Sequence, residues 1–206
     1  MDIRKEQITG LVLAGGRGMR MGGVDKGLQP FRGEPMALRA ARRLQPQVGT
    51  LLINANRHLD DYAKLGAPVC ADAIEGYAGP LAGIHAGLSA CSTDYLVTVP
   101  CDSPLLPADL VDRLGQALAR QGSDAAVAVA GTAGQARRHP VFLLLKRHLL
   151  PQLTAYLDSG GRKVDQWLAS LACAEALFDD ELAFANVNTL AELDALSAGE
   201  TRPRED

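Results

Sequence analysis

The sequence predicts an α/β fold, an open and mostly parallel sheet covered by helices on both faces. Three observations predict it. Short apolar runs alternate with helix-like stretches along most of the chain. The run Tyr95-Leu-Val-Thr-Val99 is short, continuous and rich in β-branched residues, as suits a strand buried on both faces. Glycine-rich or polar groups stand just past the ends of four strand-like runs, where such sheets bind their ligands.

The first strand is Ile8-Thr-Gly-Leu-Val-Leu13. It opens into Leu13-Ala-Gly-Gly-Arg-Gly-Met-Arg-Met-Gly-Gly-Val-Asp-Lys26, which holds five glycines, two arginines and a lysine. Glycine lets peptide N–H groups approach a ligand closely, and the cations add charge. Such a loop after a first strand suits a polyphosphate, so a nucleotide is the first ligand to consider. It is not the dinucleotide fingerprint, because Met21 stands where the third glycine belongs. Nor is it a P-loop, because Lys26 lies between Asp25 and Gly27 rather than before Ser or Thr.

Pro35 suits the first turn of a helix over Met36–Leu44. Val48–Asn54 reads as the next strand and ends in Asn54-Ala-Asn-Arg-His58. A weaker strand, Ala67–Ala71, ends at Asp72, and Gly79-Pro-Leu-Ala-Gly83 leads into a helix over Ile84–Ala90. Strand Tyr95–Val99 ends in Pro100-Cys-Asp-Ser-Pro104. A helix follows from about Pro107 to Arg120, then strands Ala125–Val129 and Val141–Leu145. Helices are expected at His148–Leu157, Lys163–Leu171 and Thr189–Leu196. The expected organisation is one domain over residues 1–196 with a flexible polar tail over 197–206.

Composition narrows the setting. Only 4% of residues are aromatic, so the core must be built from Leu, Val, Ile and Ala. A net charge of −3 argues against general nucleic-acid binding, and the loop cations are a local device on an acidic molecule. No apolar run approaches a membrane span, and the charged N-terminus does not resemble a signal peptide; a cytoplasmic protein without membrane partners is expected. Cys70, Cys91, Cys101 and Cys173 form no C-x-x-C pair and are read as packing residues, Cys101 included. The four histidines show no metal-ligand spacing.

The strand ends gather chemistry. Asp102, held between Pro100 and Pro104, is a stiff oxygen ligand suited to Mg²⁺; alone it would read as a turn or cap residue. Lys26 and Arg20 are the candidates to offset charge on a phosphate undergoing substitution. Asp25 either orients Lys26 or forms an ordinary surface pair with it. Asp72 could accept from the N1–H and exocyclic amine of guanine, and Asn54 could read a base edge or ribose; both also fit strand-end turns. Gly79–Gly83 reads equally as a backbone contact to base or ribose and as a helix entry.

Taken together, these segments resemble a known family. L-A-G-G-x-x-x-R-M-G-G-x-D-K, with Asn54-Ala-Asn-Arg-His58, Gly79-Pro-Leu-Ala-Gly83, Pro100-Cys-Asp102 and Asn186-Val-Asn-Thr189, is similar to the molybdenum cofactor guanylyltransferases from Ile8 to about Leu196. The resemblance implies a Rossmann-like nucleotidyltransferase fold. It implies transfer of GMP from GTP to molybdenum-bound molybdopterin, with Mg²⁺ and release of pyrophosphate. On this sequence it implies GTP contacts at Leu13, Ala14, Gly15, Lys26, Asn54, Asp72 and Asp102, with Asp102 also holding Mg²⁺. Leu13 would read as core by pattern alone. Proteins that deliver molybdopterin and acceptor molybdoenzymes are partners the resemblance raises.

The pterin side is less legible. Arg137-Arg-His-Pro140 and Gly160-Gly-Arg-Lys163 read equally as binders of pterin phosphate or acceptor and as solvated loops. Asn186 and Asn188 either bind substrate or cap Thr189. Three alternatives stand beside guanylyl transfer: CMP transfer to the same pterin, a sugar-1-phosphate nucleotidyltransferase, and a non-enzymatic cofactor carrier.

Overall fold

The computed structural model describes residues 3–16, 25–74, 79–132, 136–187 and 192. Strand β1 (Ile8–Leu13) is followed by a two-stranded hairpin, β2 (Pro30–Phe31) and β3 (Glu34–Pro35), and by helix α1 (Met36–Leu44). Then come β4 (Thr50–Asn54), α2 (Leu59–Ala63), β5 (Val69–Cys70), α3 (Pro80–Ala90) and β6 (Tyr95–Pro100). Helix α4 (Leu110–Gln121), strands β7 (Ala125–Ala130) and β8 (Arg137–Lys146), helices α5 (Leu150–Asp158) and α6 (Val164–Leu168), and strand β9 (Cys173–Phe178) complete the order.

Seven strands form one sheet in the order β5-β4-β1-β6-β8-β7-β9. All neighbours are parallel except β8, which runs against both β6 and β7. From β1 the chain winds outward to β4 and β5, then crosses back to place β6 on the other side of β1. The order therefore reverses at β1, where an open α/β sheet parts its loops into a ligand crevice.

Strand alternation feeds two cores. Ile8, Val12, Val97, Val99, Ala126 and Ala128 point to one face, under α1 and α4. Leu11, Leu96, Val127, Leu143 and Leu145 point to the other, under α3, α5 and α6, where Trp167 is wholly buried. Helices thus cover both faces, as the alternating pattern predicts.

The departures have physical causes. Pro35 is the cap of α1, not a first-turn residue, because it still pairs with Pro30 in the hairpin. Helix α3 starts at Pro80, so most of Gly79–Gly83 is helix. Strand β8 is twice the expected length and takes in Arg137–Pro140; a bulge opposite Val127 and Ala128 accommodates the proline. Helix α2 and strand β9 were not expected. Strand β9 alternates buried and exposed residues, as a solvent-facing edge does. Apart from Glu192, the expected helix Thr189–Leu196 lies outside the described residues, as does the tail 197–206.

Candidate functional site

Parallel register brings the strand ends together. Leu13 lies opposite Asn54 on one side and Pro100 on the other. Asn54 and the Pro100–Asp102 corner are therefore separated by one strand, about 10 Å across the sheet. The glycine loop leaves β1 between them.

On the β4 side, three polar side chains form a closed network. The Asn54 amide donates to Asp72 Oδ1 at 2.8 Å and to the Cys70 carbonyl at 3.1 Å. The Asn56 amide donates to Asp72 Oδ2 at 2.7 Å and to the Gly15 carbonyl at 3.3 Å. In return, Asn56 Oδ1 accepts from the Asp72 backbone N–H at 2.8 Å. Asn54 is only 2% exposed, and its hydrogen bonds offset the cost of burying its amide. Gly15 and Gly83 make room: a Cβ on Gly15 would stand 2.8 Å from Asn56 Nδ2, and one on Gly83 would overlap Asn54 Oδ1. Gly83 is thus a close-approach position on α3.

On the β6 side, Lys26 Nζ lies 3.4 Å from Asp102 Oδ2, with each side chain 19% exposed. Burial pushes the Asp102 carboxyl above the usual carboxylate range, and the Lys26 ammonium pulls it only partly back. The corner that carries the carboxylate is held by its backbone and by Ser103. Arg39 and Arg43 on α1 donate to the carbonyls of Pro104 and Leu106. The Asp102 carbonyl accepts from Val187 N–H at 2.8 Å, and wholly buried Ser103 donates to Asn186 Oδ1 at 2.7 Å.

Asp25 is not a surface pair with Lys26. It is 8% exposed and caps the short 3-10 turn Lys26–Leu28, accepting from Gly27 N–H at 3.2 Å. Tyr62 donates to the same oxygen at 2.5 Å, and His58 Nδ1 lies 3.0 Å from the other. Burial, the nearby Cys101 sulfur and this hydrogen bond hold the Tyr62 hydroxyl protonated far above its ordinary range. Asp25 therefore fixes the turn that carries Lys26 from the far side.

The remaining expected residues fall as follows. Ala14 N–H bonds the Asn54 carbonyl at 2.8 Å, and the Leu13 carbonyl accepts from Cys101 N–H at 3.0 Å. The Leu13 side chain packs into the core under α3, so only its position at the strand end brings it to the site. Cys101 is buried packing, its thiol pushed up by burial and by Asp102 beside it. Arg20 lies outside the described residues. Arg138 on β8 pairs with Glu175 at 2.6 Å, and Arg162 Nη1 donates to the Leu157 and Gly161 carbonyls. Asn56 and His58 stand in the polar segment Asn54–His58 without an expected role of their own, and Tyr62 carries no expectation at all. The signal for Asn56 is its place two residues past Asn54 in a polar strand end; no local signal joins Tyr62 to Asp25.

Among the described residues no three His, Cys, Asp or Glu side chains gather into a metal cage. Asp102 nonetheless fits Mg²⁺, which takes one or two protein carboxylates and completes its shell with phosphate and water. A desolvated carboxylate whose burial is only partly offset, chiefly by Lys26, is the donor such an ion needs.

Comparison with known proteins follows the same lines. Residues 10–174 match the model of the MobA-like NTP transferase domain. A molybdenum cofactor guanylyltransferase of Bordetella petrii is 56% identical over 94% of this chain and 99% of its own length. One from Cupriavidus pinatubonensis is 54% identical over 96% of this chain and all of its own. In fold, the chain is similar to the molybdopterin-guanine dinucleotide biosynthesis protein A of Archaeoglobus fulgidus, with a TM-score of 0.73, 22% identity, and 94% and 98% of the two chains covered. It is as similar to the 4-diphosphocytidyl-2C-methyl-D-erythritol synthase of Anaerococcus prevotii, with a TM-score of 0.74, 12% identity, and 96% and 100% covered.

Proposed function

The chain belongs to the MobA-like NTP transferase family, and we infer that it transfers GMP from GTP to molybdenum-bound molybdopterin, releasing pyrophosphate. The observation that carries this reading is its identity above one half, over nearly the full length, to relatives bearing that one name. The geometry agrees with it: a network suited to guanine and a lysine–aspartate pair suited to phosphate flank one glycine loop.

The roles follow from chemistry. Asp72 accepts from the N1–H and exocyclic amine of guanine, while Asn54 holds Asp72 and lines the base or ribose. Leu13, Ala14 and Gly15 line the GTP site at the strand end; because the Ala14 N–H is taken by the Asn54 carbonyl, the backbone N–H groups offered to phosphate come from Gly15 onward. The terminal phosphate oxygen of molybdopterin attacks the α-phosphorus of GTP in line, and the P–O bond to pyrophosphate breaks. The attacking oxygen is already anionic at neutral pH, so no strong general base is required. Lys26 and Arg20 offset the negative charge that grows on the α-phosphate and on departing pyrophosphate. Asp102 would hold Mg²⁺, which when bound supplies Lewis-acid neutralisation of phosphate charge.

The reading extends to the setting. Residues 1–196 act as one nucleotidyltransferase unit, with the pterin and acceptor on the side of the C-terminal half. The partners are GTP and molybdenum-bound molybdopterin, then delivering proteins and acceptor molybdoenzymes. No helix among the described residues is long and apolar enough to cross a membrane, in keeping with a cytoplasmic site of action.

The test is to mix the full chain with molybdenum-bound molybdopterin, Mg²⁺ and either GTP or CTP, and to follow pyrophosphate and dinucleotide product. Product from GTP alone is expected. Product from CTP alone makes it a cytidylyl enzyme, and binding without pyrophosphate release makes it a carrier.

A further inference from the structure

The geometry points to Asn56 as a positioning residue for base selection: it locks the Asp72 carboxylate in the one orientation that meets guanine, and ties that carboxylate to the start of the glycine loop. The inference rests on the reading of Asp72 as the group that meets the base.

Asn56 engages Asp72 twice. Its Oδ1 accepts from the Asp72 backbone N–H at 2.8 Å and its amide donates to Asp72 Oδ2 at 2.7 Å. The two contacts fix the side chain against its own backbone. The amide orientation is forced, since turning it over would set oxygen against carboxylate and N–H against N–H. Its second amide proton reaches the Gly15 carbonyl at 3.3 Å, so the clamp also touches the loop.

What the clamp leaves open is specific. Each carboxylate oxygen accepts at two positions. Asn54 takes one on Oδ1 and Asn56 takes one on Oδ2. One position remains on each oxygen, and a pair of oxygens with one open position apiece suits a pair of parallel N–H donors. Guanine presents such a pair. Hypoxanthine presents only one N–H on that edge, and adenine and cytosine present a different pattern. A carboxylate free to rotate would still attract a single donor but would lose the premium for two, because alignment is what makes a paired, charge-assisted contact selective. The donors are neutral amides, so the carboxylate keeps its full charge for the base.

The experiment measures binding of GTP and of inosine triphosphate, which lacks the exocyclic amine, to the full chain by titration calorimetry. Three variants are compared with the parent: Asn56→Ala, Asn56→Ser and Asp72→Asn. Circular dichroism reports folding, and if Asn56→Ala does not fold, Asn56→Ser carries the test. The expected result is a loss of about tenfold or more in GTP affinity with little change for inosine triphosphate, so the ratio falls toward that of Asp72→Asn. A merely structural Asn56 would weaken both nucleotides alike. An equal loss, or an unchanged ratio in the Asn56 variants while Asp72→Asn abolishes it, overturns the inference alone. An unchanged ratio in Asp72→Asn overturns the reading of Asp72, and the inference falls with it.

Discussion

The two ends of the site are built on opposite plans. On the β4 side, both oxygens of Asp72 are engaged by amides at 2.7 and 2.8 Å, and every donor is neutral. On the β6 side, Asp102 has, among the described residues, one ammonium at 3.4 Å and a carboxyl that burial pushes toward protonation. The first end is finished before any ligand arrives. The second holds a charge that its surroundings do not fully compensate. Recognition gains from groups already in place, because ordering them on binding would cost affinity. Phosphoryl-type transfer gains from charge whose compensation is completed only as the reacting groups assemble.

The contrast predicts a division of kinetic effects. The largest belongs to Asp102→Asn, which should lower kcat by at least about a thousandfold, while circular dichroism shows an unchanged fold. Near-normal GMP transfer by this variant would erase the distinction between the ends. Lys26→Ala should come next, with kcat down about 10²-fold and GTP affinity changed far less. If affinity falls and kcat at saturation does not, Lys26 belongs with the recognition end.

The smallest effect is on stability, and its sign is informative. In the unfolded chain Asp102 loses its proton in the ordinary carboxylate range, whereas in the fold it keeps the proton to higher pH. Between those two values the folded state binds more protons, so stability falls as pH rises through that window and then levels off. Above the window, metal-free Asp102→Asn should melt higher than the parent. Below the carboxylate range the two should converge. Thermal melts in chelator at several pH values check this, and a variant that melts lower at neutral pH would show the carboxylate to be a stabilising partner of Lys26.

Much of this arrangement was legible from residues. The alternation of apolar and helical runs located β1, β4, β6 and β7, and strand ends picked out Asn54, Asp72 and Asp102 without any contact being known. What escaped depends on partners remote in sequence. Asp25 read as a surface neighbour of Lys26 because Tyr62 lies 37 residues away and His58 lies 33. Strand β8 read as shorter because Arg137–Pro140 is polar and contains a proline, and only the bulge against β7 lets it join. Its reversed direction could not be inferred, since an apolar run carries no sign of polarity. Strand β9 was overlooked although Cys173–Phe178 alternates, because six residues with three alanine or cysteine side chains give a weak period.

The bond from Val187 to the Asp102 carbonyl, with Asn186 beside Ser103, has a temporal meaning. The residues that hold this corner come more than eighty positions later in the chain. Domains begin to fold from the N-terminus during synthesis. A growing chain would therefore have residues for both Asp72 clamps, and for Lys26 and Asp102, long before it had the segment that steadies Asp102. The proposed base-recognition end can thus take shape before residues 186 and 187, which steady the Asp102 corner, have been made.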